Sequence, residues 1–284
     1  MARPGTTKAH GRKHALDKFY TKPAVARACV AHLDLSRYAR AIEPSAGAGA
    51  FLSPLREATN LEVLALDIAP EAPGIIARDW FAYDELATTP TLVVGNPPFG
   101  QQSSLAVRFV NHAFDLGAET VAFILPRGFR KASVQRRLHP LARLVLDVAL
   151  DPSSFELDGC DYDLPAVFQV FERAAAPRRL VRPATTSPHL VFTRADEPHD
   201  FAVRRVGGRA GHAFVDDGTA SPQSNYFVRL AVPQSVEEII DLVNGIDFSV
   251  ADDGTGPRTL AKSEFVALFD AAYAGRSSRD DAAA

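Results

Sequence analysis

The chain of 284 residues has little cysteine, one methionine, one tryptophan and no long apolar run. Two cysteines, Cys29 and Cys160, cannot build a disulfide framework or a metal-ligand cluster, and they suit a reducing cytoplasm. No stretch approaches the roughly 18 apolar residues of a membrane span. The opening MARPGTTKAHGRKHALDKFY is basic but lacks the apolar core of a signal peptide, so a cytoplasmic protein with no membrane partner is expected. A large excess of positive charge is missing too. With a net charge of -3, a wholesale nucleic-acid coat is excluded and any such binding must come from local patches.

What is present suits a globular protein with a full core: 46% of residues are hydrophobic and 23% charged. Residues 1–14 carry Arg3, Lys8, Arg12 and Lys13 with no acid, and read as a flexible basic arm. Pro23 suits the first turn of a helix running through AVARACVAHL. Strand-like runs then alternate with helical patterns. Residues 40–43, 62–68, 91–96, 120–126 and 142–150 read as buried parallel strands, with helices at SLAVRFVNHAFDLG and RKASVQRRLHPLA between the last three. A further strand at 166–173 closes the series. Repeated β-α units predict an α/β fold, a doubly wound Rossmann-like sheet, over residues 15–175. From 176 to 274 the texture changes to Pro, Ala and Arg with short strands and two amphipathic patterns, which predicts a smaller α+β domain. Residues 275–284 read as a disordered tail.

Chemistry is suggested first by VVGNPPFG, residues 93–100. Pro97 and Pro98 cannot extend a strand, because each lacks a backbone N–H and fixes φ. The chain must leave the sheet in a stiff turn that holds Asn96 and Phe99 just beyond the strand end, where ligands bind in open α/β sheets. Alone, such a turn could simply end a strand. A second motif, IEPSAGAGAF, ends a strand at Glu43 and brings Gly47 and Gly49 into a turn where backbone N–H groups can approach a ligand. Asp67 ends the next strand about 20 residues later, the distance at which a carboxylate grips a ribose. A strand-end aspartate that caps the next segment is the plainer alternative. Asp79 and Trp80 follow in ARDWFAYD, where the acid could accept from an adenine amino group and the ring could be cofactor wall or core. The third glycine of G-x-G-x-x-G is missing, and nothing resembles a hydride-transfer site. A nucleoside cofactor other than a dinucleotide is favoured.

Taken in order, KFYTKP (18–23), EPSAGAGAF (43–51), LDI (66–68), RDW (78–80), GNPPFG (95–100) and FILP (123–126) resemble the successive motifs of amino-group methyltransferases that use S-adenosylmethionine. The motif order resembles the gamma group of DNA adenine-N6 methyltransferases. YDLPAVFQV (162–170) is similar to an element of uncharacterised viral and bacterial relatives, and the resemblance spans roughly residues 16–173. It implies a cofactor, S-adenosyl-L-methionine, and a role for each matched position. Phe19, Tyr20 and Thr21 would line its methionine end, and Glu43, Ala46, Gly47 and Gly49 would approach its amino-acid portion. Asp67, with Ile68 beside it, would hold the ribose, and Asp79 and Trp80 the adenine. Asn96, Pro97, Pro98 and Phe99 would be the catalytic tetrapeptide, with phenylalanine where the family often has tyrosine. No metal and no cysteine nucleophile is implied.

The chemistry expected of such a turn is positioning. An exocyclic amine on an aromatic base is a poor nucleophile, since its lone pair is delocalised into the ring. Asn96 Oδ1 and the Pro97 carbonyl could each accept one N–H and aim that lone pair, while Phe99 stacks on the base. In a duplex the base would have to be flipped out. Asn-Pro-Pro-aromatic turns also occur in ribosomal-RNA adenine methyltransferases and in protein glutamine methyltransferases. Between residues 120 and 146 the chain has six cations, among them Arg127, Arg130 and Lys131, and no acid, and residues 173–230 hold nine arginines against five acids. Both biases favour a nucleic-acid partner over a protein amide. The separate C-terminal domain, which resembles a target-recognition domain, tilts the choice toward DNA over RNA. A binding module without catalysis is disfavoured by intact Gly47, Gly49, Asp67 and Asn96. The sequence names no restriction partner.

Overall fold

The computed structural model describes residues 19–58, 61–157, 159–180, 182–254 and 257–283; the arm expected at 1–14 lies outside them. In chain order the elements of the first part are β1 (Tyr20–Thr21), α1 (Pro23–Ala31), β2 (Arg40–Glu43), α2 (Leu52–Ala58), β3 (Glu62–Asp67), β4 (Ile76–Ala77), β5 (Thr91–Gly95), α3 (Ser104–Asp115) and β6 (Thr120–Pro126). There follow α4 (Ala132–Gln135), β7 (Ala142–Ala149), β8 (Phe155–Leu157), β9 (Cys160–Tyr162) and β10 (Ala166–Arg173). The remainder is β11 (Leu190–Thr193), β12 (Phe201–Arg204), β13 (Ala213–Phe214), β14 (Asn225–Leu230), α5 (Val236–Asn244) and α6 (Lys262–Ala283). The chain divides into two compact units, residues 1–125 with 138–177, and residues 126–137 with 178–284. The segment just after β6 thus belongs to the second unit, which composition did not reveal.

The first unit is built on a seven-stranded sheet in the order β4-β3-β2-β5-β6-β10-β7. The pairs from β4 to β6 are parallel, while β7 and β10 pair antiparallel. Numbered by appearance, these strands run 3-2-1-4-5-7-6. A dinucleotide-binding sheet runs 3-2-1-4-5-6, so this topology departs from that alternative by an inserted last strand. The direction of winding reverses between β2 and β5, which opens a crevice at their carboxyl ends.

The sheet's middle is apolar on both faces, as parallel strands sandwiched by helices must be. Every residue of β5 and β6 is buried. Helix α3 covers it with Ala106, Val107, Phe109, Val110, Ala113 and Phe114, spaced to keep one stripe inward. Helix α1 starts at Pro23, whose missing N–H costs nothing at that position, and buries Ala26, Cys29 and Val30. Strand β7, expected to be buried, lies at the sheet's edge and leaves Leu144 and Val145 exposed. The helix expected over RKASVQRRLHPLA shrinks to the single turn α4, ending well before Pro140. A separate three-stranded sheet, β1-β8-β9, pairs Thr21 with Phe155 and Phe155 with Tyr162.

The second unit has a four-stranded antiparallel sheet, β11-β14-β12-β13, packed with α5 and α6 around Phe201, Val228, Ile239, Val243, Leu260, Phe265 and Phe269. Ser235 starts α5 by accepting from the Glu238 N–H at 3.2 Å. Helix α6 runs over Lys262–Ala283, into the stretch from 275 that the sequence reads as a tail.

Candidate active site

A cavity of about 320 Å³ lies at the switch point of the seven-stranded sheet, a volume that suits a nucleoside-sized ligand. Its walls come from six stretches of sequence: β1 with the residue before it, the turn after β2, the segment after β3, the segment after β4, the turn after β5, and α3. Of the fifteen residues assigned by motif to cofactor or catalysis, all but Gly49 line it: Phe19, Tyr20, Thr21, Glu43, Ala46, Gly47, Asp67, Ile68, Asp79, Trp80, Asn96, Pro97, Pro98 and Phe99. Gly49 stands back from the wall. Its N–H bonds Ala46 O at 2.7 Å with φ +85°, so it closes the tight turn that presents its neighbours.

Asn96 is held from two sides. Its Nδ2 donates to Thr21 Oγ1 at 3.1 Å and to Phe19 O at 3.3 Å, while Ser45 Oγ donates to its backbone carbonyl at 3.2 Å. A carbonyl can only accept, so the amide must turn its NH₂ toward Phe19, and Oδ1 is left on the other side. That oxygen is buried and has no partner among the described residues. Gly95 makes this path feasible, because a Cβ there would sit 3.3 Å from Glu43 Cγ on the adjacent strand.

Asp67, 8% exposed, accepts the Gly47 N–H at 2.7 Å on Oδ2 and the Ala69 N–H at 2.8 Å on Oδ1. A carboxylate offers about four acceptor positions, so each oxygen keeps one for a ligand. Next to it Ile68 is 61% exposed, an apolar shelf inside a polar rim. Asp79 accepts the Phe81 N–H at 2.9 Å and caps the short turn that carries Trp80. Trp80 itself is buried, stacked on Tyr83 and edge-on to His112, so it is at once core and cavity wall.

Glu43 is the least comfortable group. It is 2% exposed, and its Oε2 is buried without a partner among the described residues. Burial, reinforced by the charge of Asp67, pushes its carboxyl well above the usual range, against weaker opposition from the Phe51 N–H and Arg56. Cys29, in contrast, is a buried thiol pushed up to about 12 by desolvation, far too high for a nucleophile.

Motif reading missed several contributors. Phe81, Leu105 and Phe109 complete the apolar wall, and only their position between motifs could have pointed to them. Glu71 accepts from Tyr20 OH at 2.8–2.9 Å and donates its backbone N–H to Gly47 O at 3.1 Å, tying β1 to the glycine turn across the cavity.

The three cations expected to meet phosphate lie in the second unit. Lys131 Nζ donates to Val250 O at 2.7 Å, to Thr259 O at 3.1 Å and to Glu264 Oε2 at 3.0 Å. An ammonium has three donors, and all three are thus used within the unit. Arg130 and Arg127 pair with Asp253 at 3.5 and 3.6 Å. Among the described residues no group of three or more His, Cys, Asp or Glu side chains is placed to hold a metal, and no helix is long and apolar enough to cross a membrane.

No protein-family model and no curated protein matches the chain. Among solved structures, it is similar to a candidate RNA methyltransferase from Pyrococcus horikoshii (14% identity, 58% of this chain and 91% of that one, TM-score 0.44). Another is the modification subunit of a candidate type I restriction enzyme from Vibrio vulnificus (14% identity, 87% and 59%, TM-score 0.43). A third is the 23S rRNA methyltransferase ErmE (13% identity, 89% and 98%, TM-score 0.41). The strand order itself defines the class, a doubly wound Rossmann-like α/β protein with its cavity at the switch point.

Proposed function

We propose that the chain is an S-adenosylmethionine-dependent methyltransferase that modifies the exocyclic N6 amine of adenine in DNA. The observation that carries this reading is the Asn96 amide: its donor side is anchored on Phe19 and Thr21 and its buried Oδ1 has no partner among the described residues, in the wall of a nucleoside-sized cavity.

The residues present fit the cofactor. Glu43 offers a buried oxygen without a partner, which an ammonium would complete, and Asp67 offers one free acceptor position on each oxygen for the ribose hydroxyls. Ile68 and Phe81 supply apolar surface for an adenine, and Asp79 an acceptor at its rim. When bound, the cofactor supplies an electrophilic methyl group on a positively charged sulfur.

The protein's part is orientation. Asn96 Oδ1 and the Pro97 carbonyl accept the two hydrogens of the substrate amine and draw the nitrogen lone pair out of conjugation. The fixed proline geometry keeps that carbonyl from rotating away, and Phe99 stacks on the base. No strong base is required: the two acceptors already in place stabilise the positive charge that develops on the nitrogen, and the proton it then sheds passes to solvent. A target in a duplex would enter by flipping out of the stack.

DNA is favoured by the second compact unit, whose arginine-rich chain suits target recognition, with Arg204, Arg205 and Arg209 as the reading candidates. Methyl transfer from labelled cofactor to unmethylated duplex DNA, single-stranded DNA, ribosomal RNA and a protein extract, run in parallel, tests the proposal. N6-methyladenine in DNA is the expected product. Label confined to RNA would move the substrate, and label in protein amide would overturn the nucleic-acid reading.

A further inference from the structure

We infer that Thr21 is a positioning residue for the proposed transfer, and that the short strand β1 serves to aim the Asn96 amide as well as to line the cavity. The inference rests on the methyltransferase reading of Asn96.

The torsion that turns an asparagine amide is broad and roughly two-fold, so packing alone leaves its two faces poorly distinguished. An amide turned the wrong way would present NH₂ to the substrate amine, donor against donor. Two bonds prevent this. Phe19 O accepts from Nδ2 and, being a carbonyl, cannot be satisfied by Oδ1; Thr21 Oγ1 supplies the second, shorter bond to the same nitrogen, 3.1 against 3.3 Å. Phe19 O therefore selects the face, and the Thr21 hydroxyl holds it there.

The hydroxyl is itself well fixed. Thr21 is 7% exposed and β-branched, which limits its rotamers in a strand. Its backbone pairs with Phe155, and the next residue's N–H bonds Ser154 O at 3.1 Å. On the other side Phe19 stacks on Tyr162 at 4.7 Å. The small β1-β8-β9 sheet thereby becomes a rigid mount for one oxygen atom.

Two substitutions separate this role from simple packing. Thr21→Val keeps shape and strand preference but removes the acceptor; Thr21→Ser keeps the hydroxyl. In the ¹⁵N-labelled full chain, the Asn96 side-chain amide signals, identified by their loss in Asn96→Ala, should exchange slowly with water in the wild type and Thr21→Ser. In Thr21→Val exchange should be at least about tenfold faster, since one of two bonds is gone. With unmethylated genomic DNA, duplex and heat-denatured, kcat should fall about ten- to a hundredfold in Thr21→Val, recover in Thr21→Ser, and change more than KM does. Unaltered Asn96 exchange in Thr21→Val overturns the inference whatever kcat does, because any loss would then arise by another route. Faster exchange with wild-type kcat overturns it too. If Asn96→Ala transfers methyl groups at the wild-type rate, the functional reading fails instead, and the exchange data still decide whether Thr21 holds the amide.

Discussion

Asn96 and Lys131 are both polar residues that follow the ends of adjacent strands, β5 and β6, and both stand out in the sequence. The structure treats them in opposite ways. Asn96 has its donor side bonded and its acceptor buried with no donor to it among the described residues. Lys131 has all three donors taken by Val250 O, Thr259 O and Glu264. A buried polar group left unpaired costs about 1–3 kcal/mol, and because Asn96 lies in the cavity wall, a ligand there can supply the missing partner. A saturated group offers a ligand no unused donor. The sign of a residue's charge does not distinguish the two; an unused hydrogen-bond position that also lies in the cavity wall does.

If that distinction is correct, Asn96→Ala gives the largest loss of activity. Turnover should fall at least about a hundredfold with cofactor affinity retained, since the lost acceptor acts on the transition state more than on the ground state. Phe99→Ala should also fall steeply, while Phe99→Tyr, which keeps the stacking face, should stay active. Steady-state kinetics beside calorimetric cofactor titration separates the two quantities. Asn96→Ala turning over at the wild-type rate would show that the unpaired amide oxygen takes no part in the transfer.

Lys131→Met tests the second member. Removing the ammonium leaves Glu264 and two carbonyls without their donor in a site where both side chains are about 15% exposed, and should cost about 2–3 kcal/mol of stability, less than a fully buried pair because water still reaches it. The loss should appear in thermal or denaturant unfolding. The salt dependence of nucleic-acid binding by the folded variant should hardly change, whereas loss of one phosphate contact would lower its slope by about one. A lowered slope with unchanged stability would return Lys131 to the phosphate-binding role.

This contrast marks how far sequence carries. Strand ends are legible because Glu43, Asp67 and Gly95-Asn96 each stop a hydrophobic run, and a parallel sheet puts such ends on one edge. Fourteen of fifteen motif positions accordingly share one cavity. Exposure at the sheet's edge is not legible: ARLVLDVAL has the same apolar texture as a buried strand, and only the insertion of β10 beside it leaves β7 outermost. Nor is saturation. The carbonyls of Val250 and Thr259 that hold Lys131 lie more than a hundred residues away in sequence and carry no side-chain signature. Glu71 was missed for a related reason, since a loop glutamate gains meaning only when Tyr20 reaches it from another sheet.

A more modest effect is expected at Asp67. Asp67→Ala should weaken cofactor binding by about 1.5–3 kcal/mol through loss of charge-assisted contacts. Because it also strands the Gly47 and Ala69 N–H groups, Asp67→Asn, which keeps an acceptor, serves as the control and should weaken binding less. Equal affinity in all three proteins by calorimetry would take Asp67 out of the site.

The smallest effect is a single proton, and Glu43 is where it should be found. Like Asn96, this residue has a buried oxygen with no partner; unlike Asn96, it can relieve the mismatch by staying protonated. Its folded pKa is raised by burial and by the charge of Asp67, while in the unfolded chain it returns to the ordinary carboxyl value. Between those two values the folded state holds the extra proton, so stability falls as pH rises through this window and levels off above the folded pKa. Glu43→Gln cannot titrate and should lose that slope. An ammonium placed beside Glu43 favours the charged form and draws the pKa back down. Cofactor binding within the window should therefore release up to one proton. Calorimetric titrations in two buffers of different ionisation enthalpy measure the release directly. The wild type should show a buffer-dependent heat and Glu43→Gln none. Equal buffer dependence in both proteins would mean that the proton comes from elsewhere, and that the unpaired oxygen of Glu43 is not what the ligand's positive charge completes.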